Sequence, residues 1–236
     1  MSNSKYSTAL IVGAGSGISA SLARLLAGHG LKVALAARDG EKLRPLAKEI
    51  GGEAFATDAG EAAQVTRLFD DVANAVGEPD VVVYNASGRV RGPLVDLDPA
   101  EVARSLRISA FGGFLVGQEA ARRQLARPVE HRGAILFTGA SASVKGYARS
   151  APFAMGKFAL RGLAQSMARE LAPQGIHVAH FVIDGAVRSA ARAEPADKPD
   201  SMLDPDAIAL SYWHVLQQPR SAWSWEVELR PWVEKF

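Results

Sequence analysis

Residues 8–30, TALIVGAGSGISASLARLLAGHG, place an apolar run, a glycine-rich turn and an amphipathic segment in immediate succession. Ala9, Leu10, Ile11 and Val12 form the short continuous apolar run of a parallel strand covered on both faces. Gly13, Gly15 and Gly17 punctuate the turn. Ile18, Leu22, Leu25 and Leu26 then recur at helical spacing, and Gly28-His29-Gly30 is a C-terminal glycine stop. A glycine-rich turn that opens a helix lets a ligand approach backbone closely and aims unpaired N–H groups and a positive dipole end at an anion. Pyrophosphate is the usual occupant, which makes Gly13, Gly15, Ser16, Gly17 and Ile18 candidate nucleotide contacts. The strict dinucleotide pattern G-x-G-x-x-G needs glycine at position 18, where Ile18 stands, so the match is to G-x-x-x-G with an extra glycine inside.

The rest of the chain alternates strand and helix signals in the manner of parallel βαβ units. Strands are predicted at Lys32–Ala37, Glu53–Ala56, Val81–Val83, Gly133–Thr138, His177–Ile183 and Trp225–Leu229. Helices are predicted over about 41–50, 60–76, 152–172 and 206–217, with two helical stretches between Asp98 and Arg127. Asp98-Pro99 has the cap and proline of a helix start in their preferred places.

Ligand sites in open α/β sheets lie at the carboxyl ends of strands. Arg38, after the second strand, suits a ribose 2′-phosphate, because a guanidinium binds phosphate bidentately. Asp39 instead suits a ribose 2′-hydroxyl. Asp58, with Ala59 after the third strand, suits either an adenine amino group or the cap of the next helix. Asn85-Ala86-Ser87 and Asp184-Gly185 stand at the ends of the fourth and sixth strands. Residues 187–204, rich in Ala, Asp, Arg and Pro, read as a mobile substrate loop over the site. The aromatic C-terminal part (Tyr212, Trp213, Trp223, Trp225, Trp232, Phe236) packs either at a subunit interface or on its own core. His180 and His214 read as satisfied core or surface histidines.

Composition narrows the classes. The 236 residues suit one α/β domain, without repeat or low-complexity linker, and can bury a substantial core. The balance of 27 basic and 25 acidic residues, with no basic run, gives no electrostatic case for nucleic acid. No apolar stretch reaches membrane-spanning length and MSNSKYS leads straight into the first strand, which predicts a cytoplasmic protein with no membrane partner. The chain has no cysteine, which excludes disulfides and thiolate chemistry, and no metal site is expected.

Several motifs in order resemble the short-chain dehydrogenase/reductase family over nearly the whole length. VGAGSGIS resembles its TGxxxGIG turn, with Val12 for threonine and Ser19 for the last glycine. Asn85–Ser87 (NAS) resembles NAG. Ile183–Ser189 (IDGAVRS) resembles NPGxVxT, keeping Gly185 and Val187, with Asp184 for proline and Ser189 for threonine. Phe153–Leu160 (FAMGKFAL) resembles the YxASK-x-A helix, keeping Lys157. The resemblance implies a single-domain, Rossmann-type, doubly wound α/β fold: a seven-stranded parallel sheet with helices on both faces. It also implies NADP or NAD, of which Arg38 after the second strand favours NADP, a small-molecule substrate, and a homodimer or homotetramer built on the helices at about 109–127 and 152–172.

The same resemblance implies an Asn-Ser-Tyr-Lys catalytic group that this chain keeps only in part. Phe153 holds the tyrosine position, Ala140 the serine position and Ser109 the asparagine position; only Lys157 remains. A phenyl ring has no proton for a developing alkoxide, and a positioned acid or base contributes about 10²- to 10⁴-fold. Ser141, Ser143, Tyr147 and Lys157 itself are candidate substitutes. Two functions therefore stand open: an oxidoreductase acting on a carbonyl or alcohol with a rewired proton donor, or a nucleotide-binding protein without turnover. A purely structural role leaves Gly13, Gly17, Asn85 and Lys157 without a reason to co-occur.

Overall fold

The structure is a computed structural model that describes residues 5–189 and 192–234. Seven strands form one sheet in the order β3-β2-β1-β4-β5-β6-β7, parallel throughout. They are β1 (Thr8–Val12), β2 (Lys32–Ala37), β3 (Glu53–Ala56), β4 (Val81–Tyr84), β5 (Gly133–Thr138), β6 (Ile176–Ile183) and β7 (Glu226–Leu229). Seven α-helices connect and follow them: α1 (Ile18–Gly28), α2 (Arg44–Ile50), α3 (Ala62–Ala75), α4 (Pro99–Leu106), α5 (Gly112–Leu125), α6 (Ala151–Leu171) and α7 (Pro205–Gln217). The expected doubly wound fold is the observed one.

Strand alternation decides which side each residue serves. Ala9, Ile11, Val81, Val83, Leu136 and Phe181 face α1 and α7, packing with Leu22, Leu26, Ile208 and Tyr212. Leu10, Val82, Tyr84, Ile135 and Phe137 face the other layer and pack with Leu68, Phe69, Val116 and Leu160 of α3, α5 and α6. Because both faces are covered, β1, β4, β5 and β6 are buried along their whole length, which is why they read as largely apolar runs, interrupted in β6 by the buried His177 and His180.

The register leaves β1 and β4 side by side, with Val12 opposite Tyr84, at the point where the crossovers diverge to opposite sides of the sheet. Gly13, next in the chain, has φ +82°, and a Cβ there would lie 2.2 Å from the Ala86 backbone nitrogen. Only glycine fits. At the other end of the pair, the buried Asp80 carboxylate accepts from Ser7 N, Ser7 Oγ and Thr8 N at 2.9, 2.9 and 3.0 Å, fixing β1 against β4.

Local chemistry differs from expectation at Asp58 and in the helices that follow Asp98. Helix α3 starts at Ala62, and Asp58 does not cap it: its carboxylate accepts from Gly60 N at 2.9 Å, closing a turn before the helix. Asp98 does cap α4, accepting from Ala100 N. The two helical stretches after it form one rod, joined by a π-helical turn over Arg107–Phe111. That turn frees the Ile108 carbonyl, which the Tyr84 hydroxyl satisfies.

The aromatic C-terminal part folds largely onto its own core. Tyr212 stacks on Phe181, Trp213 on His29 and Trp223 on His177, while Trp225 lies beside the Arg161 guanidinium. Trp232 alone of these stays 80% exposed, and Phe236 lies outside the described residues. His214 is exposed. Residues 187–204, expected as a mobile loop, are fastened where they are described: Val187 bridges Leu203, and Arg188 pairs with Asp204.

Gly13→Ala forces both a left-handed backbone on alanine and a collision with Ala86, at about 2–4 kcal/mol. The expected result is a fall of roughly 5–15 °C in Tm by calorimetry. A second expectation concerns acid. Burial pushes His177 down to about 4, against roughly 6.5 in an unfolded chain. The unfolded state therefore binds the extra proton between those values, and stability falls as pH drops from about 6.5 to 4. Tm measured against pH over that window should slope less steeply in His177→Gln.

Candidate active site

Three clefts run along the carboxyl ends of the strands, sharing Gly15 between the first and second and Ile18, Asn85 and Val187 between the second and third. The first, about 840 Å³, is lined by Ala14, Gly15, Ser16, Arg24, Arg38, Asp39 and Lys42 among others. The second, about 240 Å³, lies over Gly13, Gly15, Gly17, Ile18 and Ser19, with Val187 and Ser189 opposite. The third, about 810 Å³, includes Ser87, Ala140, Ser141, Tyr147, Phe153, Lys157 and Gly185.

The glycine turn fits a diphosphate. A Cβ on Gly15 or Gly17 would meet no atom within 4 Å, so the turn is open above, and Gly17 stands at the N-terminus of α1. The helix dipole and its first N–H groups favour an anion there. Asn85 braces the turn from β4, donating through Nδ2 to Ser19 Oγ at 2.7 Å and to the Gly13 carbonyl at 3.4 Å. Beyond the turn, Asp39 is engaged by Lys42, whose Nζ lies 3.0 Å from its carboxylate, whereas the exposed Arg38 has no carboxylate partner among the described residues.

At the other end, Lys157 stands on α6 with Nζ donating to the Thr138 carbonyl at 2.7 Å. The residue is 3% exposed. Burial, reinforced by the Arg89 charge, pulls the ammonium pKa down to about 8. Phe153, one turn earlier, has its ring centroid 5.9 Å from Lys157 Nζ and carries the Arg89 guanidinium at 4.7 Å.

Several candidates do not reach the clefts. Ser143 is wholly buried: its Oγ accepts from Ala140 N at 3.1 Å and lies 3.3 Å from His180 Nε2. His180 Nδ1 donates to Glu226 at 3.1 Å, so Nε2 is the acceptor and the Ser143 proton points inward. Burial holds His180 down at about 4, hence neutral, as a core histidine. Ser109 is buried in the π turn, where its hydroxyl bonds the Gly88 N–H and carbonyl. Asp184 is buried beneath the site rather than lining it, with Lys145 Nζ at 3.0 Å and Arg230 at 3.5 Å. Burial opposes its charge, but bonds from Ser141 and Lys145 and both cations win and hold its carboxyl below the usual range. Asp58 and Ala59 are tied up in their turn, and Ala86 packs on Gly13.

The residues that sequence reasoning missed are cationic. Arg89, Arg91, Arg149 and Arg192 all line the third cleft. The Arg89-Val90-Arg91 alternation directly after Gly88 was a usable signal at a strand's ligand end. Arg149 and Arg192 are brought there only by the fold. Among the described residues no cluster of His, Asp or Glu suits a metal ion, and no helix is long and apolar enough to cross a membrane.

The sequence as a whole was compared with known proteins. The family model described as short chain dehydrogenase matches residues 7–199. A protein named short chain aldehyde dehydrogenase 1, from Euphorbia lathyris, is 31% identical over 72% of this chain, which spans 60% of that protein's length. The crystal structure of a short-chain dehydrogenase from Rhodopseudomonas palustris superposes with a TM-score of 0.81 at 37% identity, over 96% of this chain and 99% of that one. A metagenomic short-chain oxidoreductase crystallised with NADP gives a TM-score of 0.80 at 31% identity, over 95% and 97% of the two chains. An open glycine turn at the β1–β4 divide, a buried lysine on α6 at the far end of the same trough, and these likenesses over nearly all of its length agree that the chain belongs to the short-chain dehydrogenase family.

Proposed function

We propose that the protein is an NADP-preferring oxidoreductase that interconverts a carbonyl and an alcohol, with Lys157 in place of the missing phenol as proton carrier. The observation that carries this reading is Lys157 itself, buried on the wall of a cleft that continues into an open phosphate turn. Bound NADPH would supply the hydride. The N–H groups at the start of α1 would hold its diphosphate and Arg38 its 2′-phosphate, since Asp39 is already occupied by Lys42. The NADP complex of the metagenomic relative supports the same choice.

Lys157 serves two roles in this reading. Its Nζ holds the nicotinamide ribose, and with a pKa of about 8 it can release a proton to a developing alkoxide near neutral pH. Two of the other substitutes are less suited, since Ser143 points inward and Ser141 donates to Asp184, while Tyr147 lines the same cleft from its more exposed side. Phe153 closes the apolar side of the pocket. Residues 187–204 form its substrate-side flap, with Val187 and Gly185 on the wall. Exposed Phe111, Phe114, Met155 and Phe158 on or beside α5 and α6 support a homodimer or homotetramer through those helices. The missing phenol favours a second reading, a coenzyme-binding protein without turnover, and the experiments below separate the two.

Titration with NADPH and NADH should give tighter binding of NADPH, and Arg38→Ala should loosen NADPH about tenfold or more while leaving NADH within twofold. An unchanged ratio would make Arg38 a surface charge only. For turnover, steady-state NADPH oxidation against a carbonyl panel should be measurable in the wild type and fall as pH rises through about 8, as Lys157 loses its proton. Phe153→Tyr with Ala140→Ser restores a phenol beside Lys157 and a hydroxyl donor, and should raise kcat by about 10²-fold, well beyond the product of the single changes. A wild type that binds NADPH but is inert, beside an active double variant, would establish the second reading.

A further inference from the structure

We propose that the substrate is an anion: a small carbonyl compound bearing a carboxylate or phosphate group, held beside Phe153 by Arg89, Arg91, Arg149 and Arg192. This rests on the oxidoreductase reading above and adds the substrate class. In the reducing direction bound NADPH would supply a hydride to the carbonyl carbon and would itself be oxidised, and the oxygen takes the proton of Lys157. The product is a hydroxy acid or a hydroxy phosphate.

The pairing pattern of the arginines carries the inference. Among the described residues, arginines outside the third cleft other than Arg38 have partners: Arg132 and Arg169 bond backbone carbonyls, and the others, such as Arg24 with Glu49 and Arg161 with Glu226, pair with carboxylates. Those with neither kind of partner among the described residues are Arg38, in the first cleft, and the four in the third. The third cleft has no acidic residue on its wall at all, although the chain has 25. Its four arginines and Lys157 exceed the net charge of +2 on the whole chain.

These cations are held together against their mutual repulsion. Gly92 N donates to the Arg149 carbonyl at 3.1 Å, joining the loop of Arg89 and Arg91 to that of Arg149. Arg149 has φ +61°, a backbone that a non-glycine residue adopts only at a cost. Arg192 arrives from the flap, its carbonyl accepting from Ser189 N at 3.0 Å. Arg89 lies on the Phe153 ring, which orients its guanidinium without neutralising it. Burial, then the charges of Arg91 and Arg192, make Arg89 easier to deprotonate than an ordinary arginine. An anion that bridges these groups relieves the repulsion and gains bidentate, charge-assisted bonds. The phosphates of NADP have their own places at the glycine turn and Arg38, so the third cleft is left for an acidic substrate.

Calorimetric titration at low ionic strength tests this, with malonate and inorganic phosphate as separate probes and NADPH affinity measured in parallel. The wild type should bind at least one probe, and Arg89→Gln/Arg91→Gln should loosen it at least tenfold while leaving NADPH affinity within twofold. Both side chains are exposed. Tighter malonate assigns a carboxylate substrate, and tighter phosphate assigns a phosphorylated one. Anion binding that is absent, or equal in the variant, overturns the proposal while NADPH binding keeps the oxidoreductase reading intact. Loss of NADPH affinity in the variant also overturns it, by showing that these arginines serve the coenzyme. A wild type that binds the probes but no nicotinamide nucleotide refutes the oxidoreductase reading, and with it the substrate class.

Discussion

Where β1 and β4 part, Gly13 lies so near Ala86 that no side chain can stand between them. That backbone contact brings the first strand's glycine turn against the Asn85 turn, whose amide then bonds both Ser19 and the Gly13 carbonyl. The clefts are consequences of this join, because the crossovers on either side of it leave to opposite faces of the sheet. The floor of the trough is formed at the ends of strands that are buried within the sheet. The site is therefore rigid at its floor, and its chemistry is decided by what the loops add.

What the loops add at one end is positive charge. Lys157, four arginines and an α-helix N-terminus share one trough, and the acids that do lie close are kept off its floor. Asp184 is buried below the site between Lys145 and Arg230, and Glu226 is held by Arg161 and His180. Clefts lined by one sign of charge concentrate counter-ions and speed their capture, and a nicotinamide coenzyme with an acidic substrate would profit from this together.

At the Lys157 end of the trough the side chains differ in what protons they can offer. With phenylalanine at 153 the ring beside Lys157 offers a face to Arg89 and no proton to a substrate. The hydroxyls of Ser141 and Ser143 are each committed to a buried partner, Asp184 and His180, so proximity in sequence to Ala140 does not make them donors. Lys157 differs because its desolvation lowers its proton affinity toward the working range, a consequence of burial that an exposed lysine would not share.

The sequence by itself determined the strands, because parallel strands buried on both faces must be continuous apolar runs, and Ala9–Val12, Val81–Val83 and Gly133–Thr138 could be little else. It also determined the glycine turn and the place of Arg38, which depend on neighbours in the chain. The N-cap role of Asp98 was legible for the same reason, whereas Asp58 was misjudged as a possible cap because a turn of Gly60 intervenes. Only the tertiary structure decided which hydroxyls are free, since Ser143 is turned inward by a histidine 37 residues away. It alone buried Asp184, folded the C-terminal aromatics onto β6 and His29 at the end of α1, and collected Arg89, Arg91, Arg149 and Arg192 around Phe153. Periodicity and capping act within a few residues, while charge pairing and burial depend on the whole chain being closed around the site.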